Sequence, residues 1–535
     1  MNYLKSLLLF ALLLPGYAFA QSPNIDVLHY AFHLTLTDES NNITGRTAVT
    51  VKFTASNVGS FALDLIGIDG SERTGMRIAS VTHNKEALAF DHTDDRVTIT
   101  LPAPANKDDE LTFMISYTGT PADGLFISKN KYGERTFFGD NWPNRARHWL
   151  PSNDHPSDKA TMEFIVTAPN HYQVIGSGVM IEESDLLDGN RLTHWSTKIP
   201  IPTKVAVIGA AQFAIQHDEP YNGFPIQHWV YPQDREAGFH DFGVTHDMMK
   251  FFEDNIGPYS YEKLANVQSK TRYGGMENAS NIFYSENSIS GERTNEGLVA
   301  HEIAHQWFGN SATESDWQHI WLSEGFATYF TQLYMEHAYG RERMVEGMAR
   351  ARQSVLGFYN RVPNAPLVNP TITDPNQHLN SNSYQKGAWV LHMLRHTIGD
   401  DAFWAGIQLY YKSHRNSNAS SADLQRAMEA ASGSDLTSFF QQWLYQPGQP
   451  MIEASWTYNA NKGELALTVA QTQDGPLFKT PLEIGIYRPD GSMSLTTMML
   501  EKKTETVAIP LKAAPASVEL DPKTWLLAGI TINEQ

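Results

Sequence analysis

Residues 301–325, HEIAHQWFGNSATESDWQHIWLSEG, place two histidines, a glutamate between them and a later glutamate in one short span. On a helix, side chains four residues apart lie one above the other, so His301 and His305 would aim their imidazoles at one point. Two such nitrogens and a carboxylate, with one position left open, are the donor set of a catalytic zinc site. Glu302 stands next to the first histidine, placed to reach a water and not the metal. Eighteen residues separate His305 from Glu324, room for a helix end, a loop and a returning helix that supplies the third ligand.

The chain has 20 histidines. An H-E-x-x-H pattern therefore arises by chance in about a few per cent of chains of ordinary composition, usually as surface helix residues. The carboxylate on a second apolar segment outweighs that reading, and the pattern is among the more specific short motifs. One zinc ion, held by His301, His305 and Glu324, is the expectation. Ile303, Trp307, Phe308, Ile320, Trp321 and Leu322 are expected to form a core that keeps the ligands rigid.

The elements that must position this site fall into three regions. A chain of 535 residues exceeds one core and implies about two to four domains. Residues 21–215 read as strands: YAFHLTLT, TAVTVKFTA, RVTITL, LTFMISYTG and ATMEFIVTA alternate apolar and polar residues between Gly, Pro, Asn and Asp turns, the pattern of a large antiparallel β domain. Residues 216–446 change to helical spacing, with helices expected over 246–256, 296–308, 324–339, 383–398, 401–411 and 421–431. After the linker QPGQP, residues 447–535 return to short strands and predict a small β-sandwich. The fold class expected is multidomain α+β, with the chemistry in the helical middle.

Residues 1–20, MNYLKSLLLFALLLPGYAFA, read as a cleavable export signal ending at Ala20, since one positive charge precedes an apolar run and small residues close it. The run is short for a membrane anchor, so no stable anchor is expected and the mature chain would begin at Gln21, in the periplasm or outside the cell. There are no cysteines, so any metal site must use His, Asp and Glu. The net charge of −19 argues against nucleic acid and anionic membranes as partners.

Three motifs in order, Gly274-Gly275-Met276-Glu277-Asn278, His301-Glu302-x-x-His305 with Glu324 beyond, and Ser383-Tyr384-Gln385-Lys386-Gly387, resemble the zinc aminopeptidases related to aminopeptidase N and leukotriene epoxide hydrolase. The resemblance spans nearly the whole mature chain. It implies an N-terminal β saddle, a thermolysin-like catalytic domain, and peptide substrates with a free N-terminal amine. It also implies that Glu277 binds that amine and that Tyr384 stabilises the tetrahedral intermediate. Tyr273 and Met276 would line the pocket for the first side chain, with Gly274 and Gly275 allowing close approach of the substrate.

Three departures stand out. A second amine-binding Gln or Glu usually lies five residues before the arginine of an Arg-x-x-x-Pro; Arg147 and Pro151 match, but that position holds Trp142. Asp140 or Asn141 would then substitute, or the subsite is rearranged. Ser323 stands where Asn commonly precedes the third ligand, a change expected to matter little. A β-sandwich follows the catalytic region where many relatives carry a large helical region, which would leave the site more open. The expected chemistry is hydrolysis of the first peptide bond, with Glu302 as general base. A thermolysin-type endopeptidase, an epoxide hydrolase and a non-catalytic zinc protein that captures peptides are the competing readings.

Overall fold

The computed structural model describes residues 22–68 and 73–534. The export signal expected in residues 1–20 lies outside the described residues.

The N-terminal unit is a twisted saddle. Its main sheet runs in the order Val179–Asp185, Asn190–Ser196, Lys159–Pro169, Ile25–Thr35, Ile43–Phe53, Glu110–Thr120, Gly75–His83 and Glu86–Ala87. Alternation places Val49, Val51, Phe53, Phe113 and Ile115 in the core and their neighbours toward solvent. One pairing departs from the antiparallel expectation: Ile25–Thr35 runs parallel to Lys159–Pro169, with Phe32 opposite Phe164. Alternation records which face is buried and is silent on strand direction.

The middle unit opens on a five-stranded sheet in the order Ala214–His217, Ile226–Val230, Leu264–Ser269, Asn281–Ser285 and Gly275–Met276. The central three strands are parallel, and the short edge strand Gly275–Met276 is antiparallel to its neighbour. These strands were not legible in the sequence. Every residue of Ile226–Val230 and Leu264–Ser269 is buried, so neither strand alternates.

Around this sheet pack helices α1 (Arg235–Phe242), α2 (Thr245–Ile256), α3 (Glu296–Ala304), α4 (Trp321–Tyr339), α5 (Arg341–Arg361), α6 (Gly387–Ile398), α7 (Asp400–His414), α8 (Ser421–Ser432) and α9 (Thr437–Phe440). The long helix α5 also escaped the sequence reading. It is rich in charge, and its buried positions Met344, Met348, Ala351 and Val355 form a narrow stripe at helical spacing.

The C-terminal unit is a sandwich of a four-stranded and a three-stranded sheet. Leu465, Leu467 and Val469 of one sheet and Leu482, Ile484 and Ile486 of the other are buried between them. The segment QPGQP that leads into it is pinned and partly buried: Gln449 is enclosed, and Lys386 Nζ donates to the Gly448 carbonyl at 2.8 Å. Among the described residues, no helix is long and apolar enough to cross a membrane.

Candidate metal centre

Helices α3 and α4 bring the ligand candidates together. His301 and His305 lie at the end of α3, their Nε2 atoms 3.1 Å apart. Glu324, in the first turn of α4, places Oε2 3.3 Å from His305 Nε2 and 3.7 Å from His301 Nε2. The three ligand atoms fall within 4.8 Å of one another, and two imidazoles with one carboxylate fit zinc.

The orientation of His305 fits the same purpose. Its Nδ1 lies 3.1 Å from the Phe308 carbonyl and 3.1 Å from Ser323 Oγ. A carbonyl only accepts, so Nδ1 carries a proton, which leaves Nε2 as the nitrogen that would face a cation. Ser323 thus lies in hydrogen-bond reach of a ligand candidate.

Helices α4 and α6 meet closely because of glycine. Gly325 of α4 packs on Gly387, where a Cβ on Gly325 would stand 2.8 Å from the Gly387 Cα. Gly387 follows the wide turn Asn382–Lys386, which carries Tyr384. The Tyr384 ring lies nearly parallel to that of His301, centroids 6.2 Å apart. A single wide turn inserted before a helix often marks a functional position.

Glu302 faces the edge strand. A Cβ on Gly275 would meet Glu302 Oε1 at 2.3 Å, so only glycine lets this carboxylate lie against the strand. The close approach at Gly275 is therefore made by Glu302. At Gly274 the same test finds only Leu298, at 3.4 Å. Glu277 follows the edge strand and is buried, and its Oε1 has no hydrogen-bond partner among the described residues. Its backbone carbonyl accepts from Asn310 Nδ2 at 2.6 Å and from Gln306 Nε2 at 3.0 Å. Neither amide was singled out in the sequence, although both lie in the HQWFGN run that follows the first ligand.

His301, His305, Glu324, Glu302, Glu277 and Tyr384 share a cleft of about 190 Å³, which Trp142, Tyr273, Met276, Leu298 and Leu379 help to line. Trp142 is buried, edge-on to Trp317 at 5.8 Å, and its Nε1 lacks a partner among the described residues. Asp140 and Asn141 are engaged elsewhere. Asp140 pairs with Arg145 at 2.6 Å and accepts from Thr271 Oγ1 at 3.2 Å. Asn141 donates to the carbonyls of Thr203 and Ala206 and accepts from Trp149 Nε1. At this corner an indole takes the place of a polar anchor.

Three carboxylates in one dry cleft perturb each other. Burial drives the Glu302 carboxyl well above its ordinary range; His305 opposes this, and the charges of Glu277 and Glu324 add to it. Glu277 is raised in the same way, by burial first. Burial would lower the His305 pKa, yet the charges of Glu324 and Glu277 outweigh it and raise it to about 10. Burial would likewise raise Glu324, but His305 and then His301 hold it below the usual carboxylate range. This excess of negative charge is what a divalent cation would neutralise. Burial and the three carboxylates push the Tyr384 phenol well above its ordinary value, keeping it a hydrogen-bond donor at any moderate pH.

Comparison with known proteins agrees with this geometry. The family description "Peptidase M1 N-terminal domain" matches residues 26–205, and "Peptidase family M1 domain" matches residues 240–443. Glutamyl aminopeptidase of Rattus norvegicus is 27% identical over 343 residues, covering 61% of this chain and 36% of its own length. "Probable aminopeptidase 1" of Sulfurisphaera tokodaii is 24% identical over 477 residues, 86% of this chain and 58% of its own. The chain thus spans little more than a third of the glutamyl aminopeptidase. A crystal structure of an M1 zinc metallopeptidase variant from Deinococcus radiodurans superposes with a TM-score of 0.67 at 24% identity, covering 80% of this chain and 96% of that one. With both of its domain descriptions matched in order along residues 26–205 and 240–443, this chain belongs to peptidase family M1.

Proposed function

We propose that the protein is an exported zinc aminopeptidase that removes the N-terminal residue of peptides. The observation that carries this reading is the unpartnered Oε1 of Glu277, buried in the same cleft as the ligand cluster. A buried carboxylate without a partner is costly, and the ammonium of a peptide N-terminus is a partner of the right charge.

His301, His305 and Glu324 would hold a zinc ion, which when bound would supply Lewis acidity toward a water and the scissile carbonyl. The protein's own groups do the rest. Glu277 pairs with the substrate ammonium and so sets which peptide bond reaches the metal. Glu302 accepts a proton from the attacking water on a carboxylate oxygen and returns it to the leaving amine. The Tyr384 hydroxyl donates to the oxyanion that develops on the carbonyl. Tyr273 and Met276 receive the first side chain, and the indole of Trp142 gives that pocket an apolar wall.

The test is hydrolysis of unblocked peptides before and after chelation. Activity should vanish on zinc removal and return when zinc is restored. Activity that survives full loss of zinc would contradict the reading. Export rests on residues 1–20 alone, and the intact mass of material recovered outside the cytoplasm should correspond to a chain starting at Gln21.

A further inference from the structure

Away from the metal cluster, a cavity of about 240 Å³ lies where α6 and α9 meet the C-terminal sandwich. Met393 and His396 of α6, Phe439 of α9, Glu483 of strand Thr480–Tyr487, and Trp525 and Leu526 form its walls. These walls come from both units, and most of their surface is aromatic or aliphatic.

Glu483 does not fit such a lining unless something meets it. It is 9% exposed, and its Oε2 is enclosed with no hydrogen-bond partner among the described residues. His396 Nε2 stands 3.9 Å from Oε1, too far for a hydrogen bond. The other charges at the cavity are already matched. Asp521 pairs with Arg352 and accepts from the backbone N–H groups of Trp525 at 2.6 Å and Leu526 at 3.1 Å. Lys479 pairs with Glu501 at 3.0 Å. Glu483, with only the distant His396 imidazole beside Oε1, is left with Oε2 unpartnered among the described residues, next to an apolar wall.

We propose that this cavity binds a small organic cation: a primary ammonium on Glu483, with an aromatic or branched apolar body against Met393, Phe439 and Leu526. A metal ion fits poorly, because one carboxylate offers too few oxygens to a hard cation. An anion would meet the Glu483 charge. An uncharged apolar molecule would fill the walls and leave the carboxylate buried without a partner. An alkylammonium satisfies both parts, and the site stands whatever reaction the metal centre performs.

The probe is 2-phenylethylamine, with 2-phenylethanol as its uncharged counterpart. Because an amine can also reach Glu277, calorimetric titrations use the full zinc-loaded chain carrying Glu277→Ala. One saturable amine site should remain, with the alcohol weaker by about tenfold or more, as loss of a charge-assisted contact implies. Adding Glu483→Gln should weaken amine binding by about the same factor. Equal binding of amine and alcohol, no saturable site, or an affinity unchanged by Glu483→Gln would overturn the proposal. If that variant fails to fold, the amine–alcohol comparison on the parent chain decides the matter.

Discussion

Asn310 donates its side-chain amide to the backbone carbonyl of Glu277 at 2.6 Å, tying the turn after the metal helix to the segment beside the cleft. Gln306, one residue past His305, adds a second bond to the same carbonyl at 3.0 Å. The run that begins with the zinc ligands therefore also holds the residue assigned to the substrate ammonium. Ligand candidates and the proposed anchor are thereby hydrogen-bonded into one segment of the fold.

If that tie sets the position of Glu277, Asn310→Ala should lower kcat/KM for unblocked peptides by about tenfold, since one good buried hydrogen bond is worth about 1–2 kcal/mol. Zinc content should not change. Steady-state kinetics with metal analysis checks both, and equal kcat/KM in variant and parent would release Asn310 from this role.

How much of this was legible beforehand differs between ligands and support. The cluster of His301, His305 and Glu324 could be singled out from spacing, because two histidines four apart on a helix lie on one face. Glu277 and Tyr384 could be singled out only through the resemblance, since a lone loop acid and a lone helix aromatic carry no chemistry by themselves. Gln306 and Asn310 stayed hidden, as did the contact that Ser323 makes, because these depend on which carbonyl or imidazole tertiary packing brings within reach. The same holds for the fold. Strands exposed on one face announced themselves by alternation, whereas Ile226–Val230 and Leu264–Ser269, enclosed on both faces, did not.

Ser323 bears on the orientation of a ligand candidate. Its hydroxyl lies 3.1 Å from His305 Nδ1, the nitrogen that also faces the Phe308 carbonyl. Ser323→Ala should weaken zinc binding by about tenfold, at the lower end for loss of a group that orients a ligand. Competition with a calibrated chelator measures this. Unaltered affinity would mean that the carbonyl alone fixes the ring.

Glu302→Gln should retain zinc and lose most turnover, because an amide cannot take the proton. Tyr384→Phe should lower kcat by about a hundredfold or more, the usual consequence of removing an oxyanion donor. Metal content and kcat, measured on the same preparations, separate these effects from loss of the site. Unchanged kcat in either variant removes that residue from the mechanism.

Lys386 gives a prediction on stability. Burial lowers its pKa to about 7, and its Nζ is spent on the Gly448 carbonyl where the chain enters the sandwich. Above that value the folded lysine is neutral, while the unfolded one stays protonated up to its ordinary 10.5. The unfolded state then binds more protons, so this group makes stability rise with pH across that window. In Lys386→Met the gain in denaturation midpoint between about pH 7 and 9 should be smaller than in the parent. An equal gain in both proteins would show that Lys386 does not titrate in this way.

The central claim is that Glu277 selects peptides by their free amine. Its most direct test is kcat/KM for matched pairs of free and N-acetylated peptides, in the parent enzyme and in Glu277→Ala. Acetylation removes the charge that Glu277 would pair with, so the parent should strongly prefer the free peptide. Glu277→Ala should lose about two to four powers of ten on free peptides, keep its zinc, and discriminate far less between the two forms. A parent enzyme that cleaves acetylated peptides internally as fast as free ones would contradict the account and make the protein an endopeptidase.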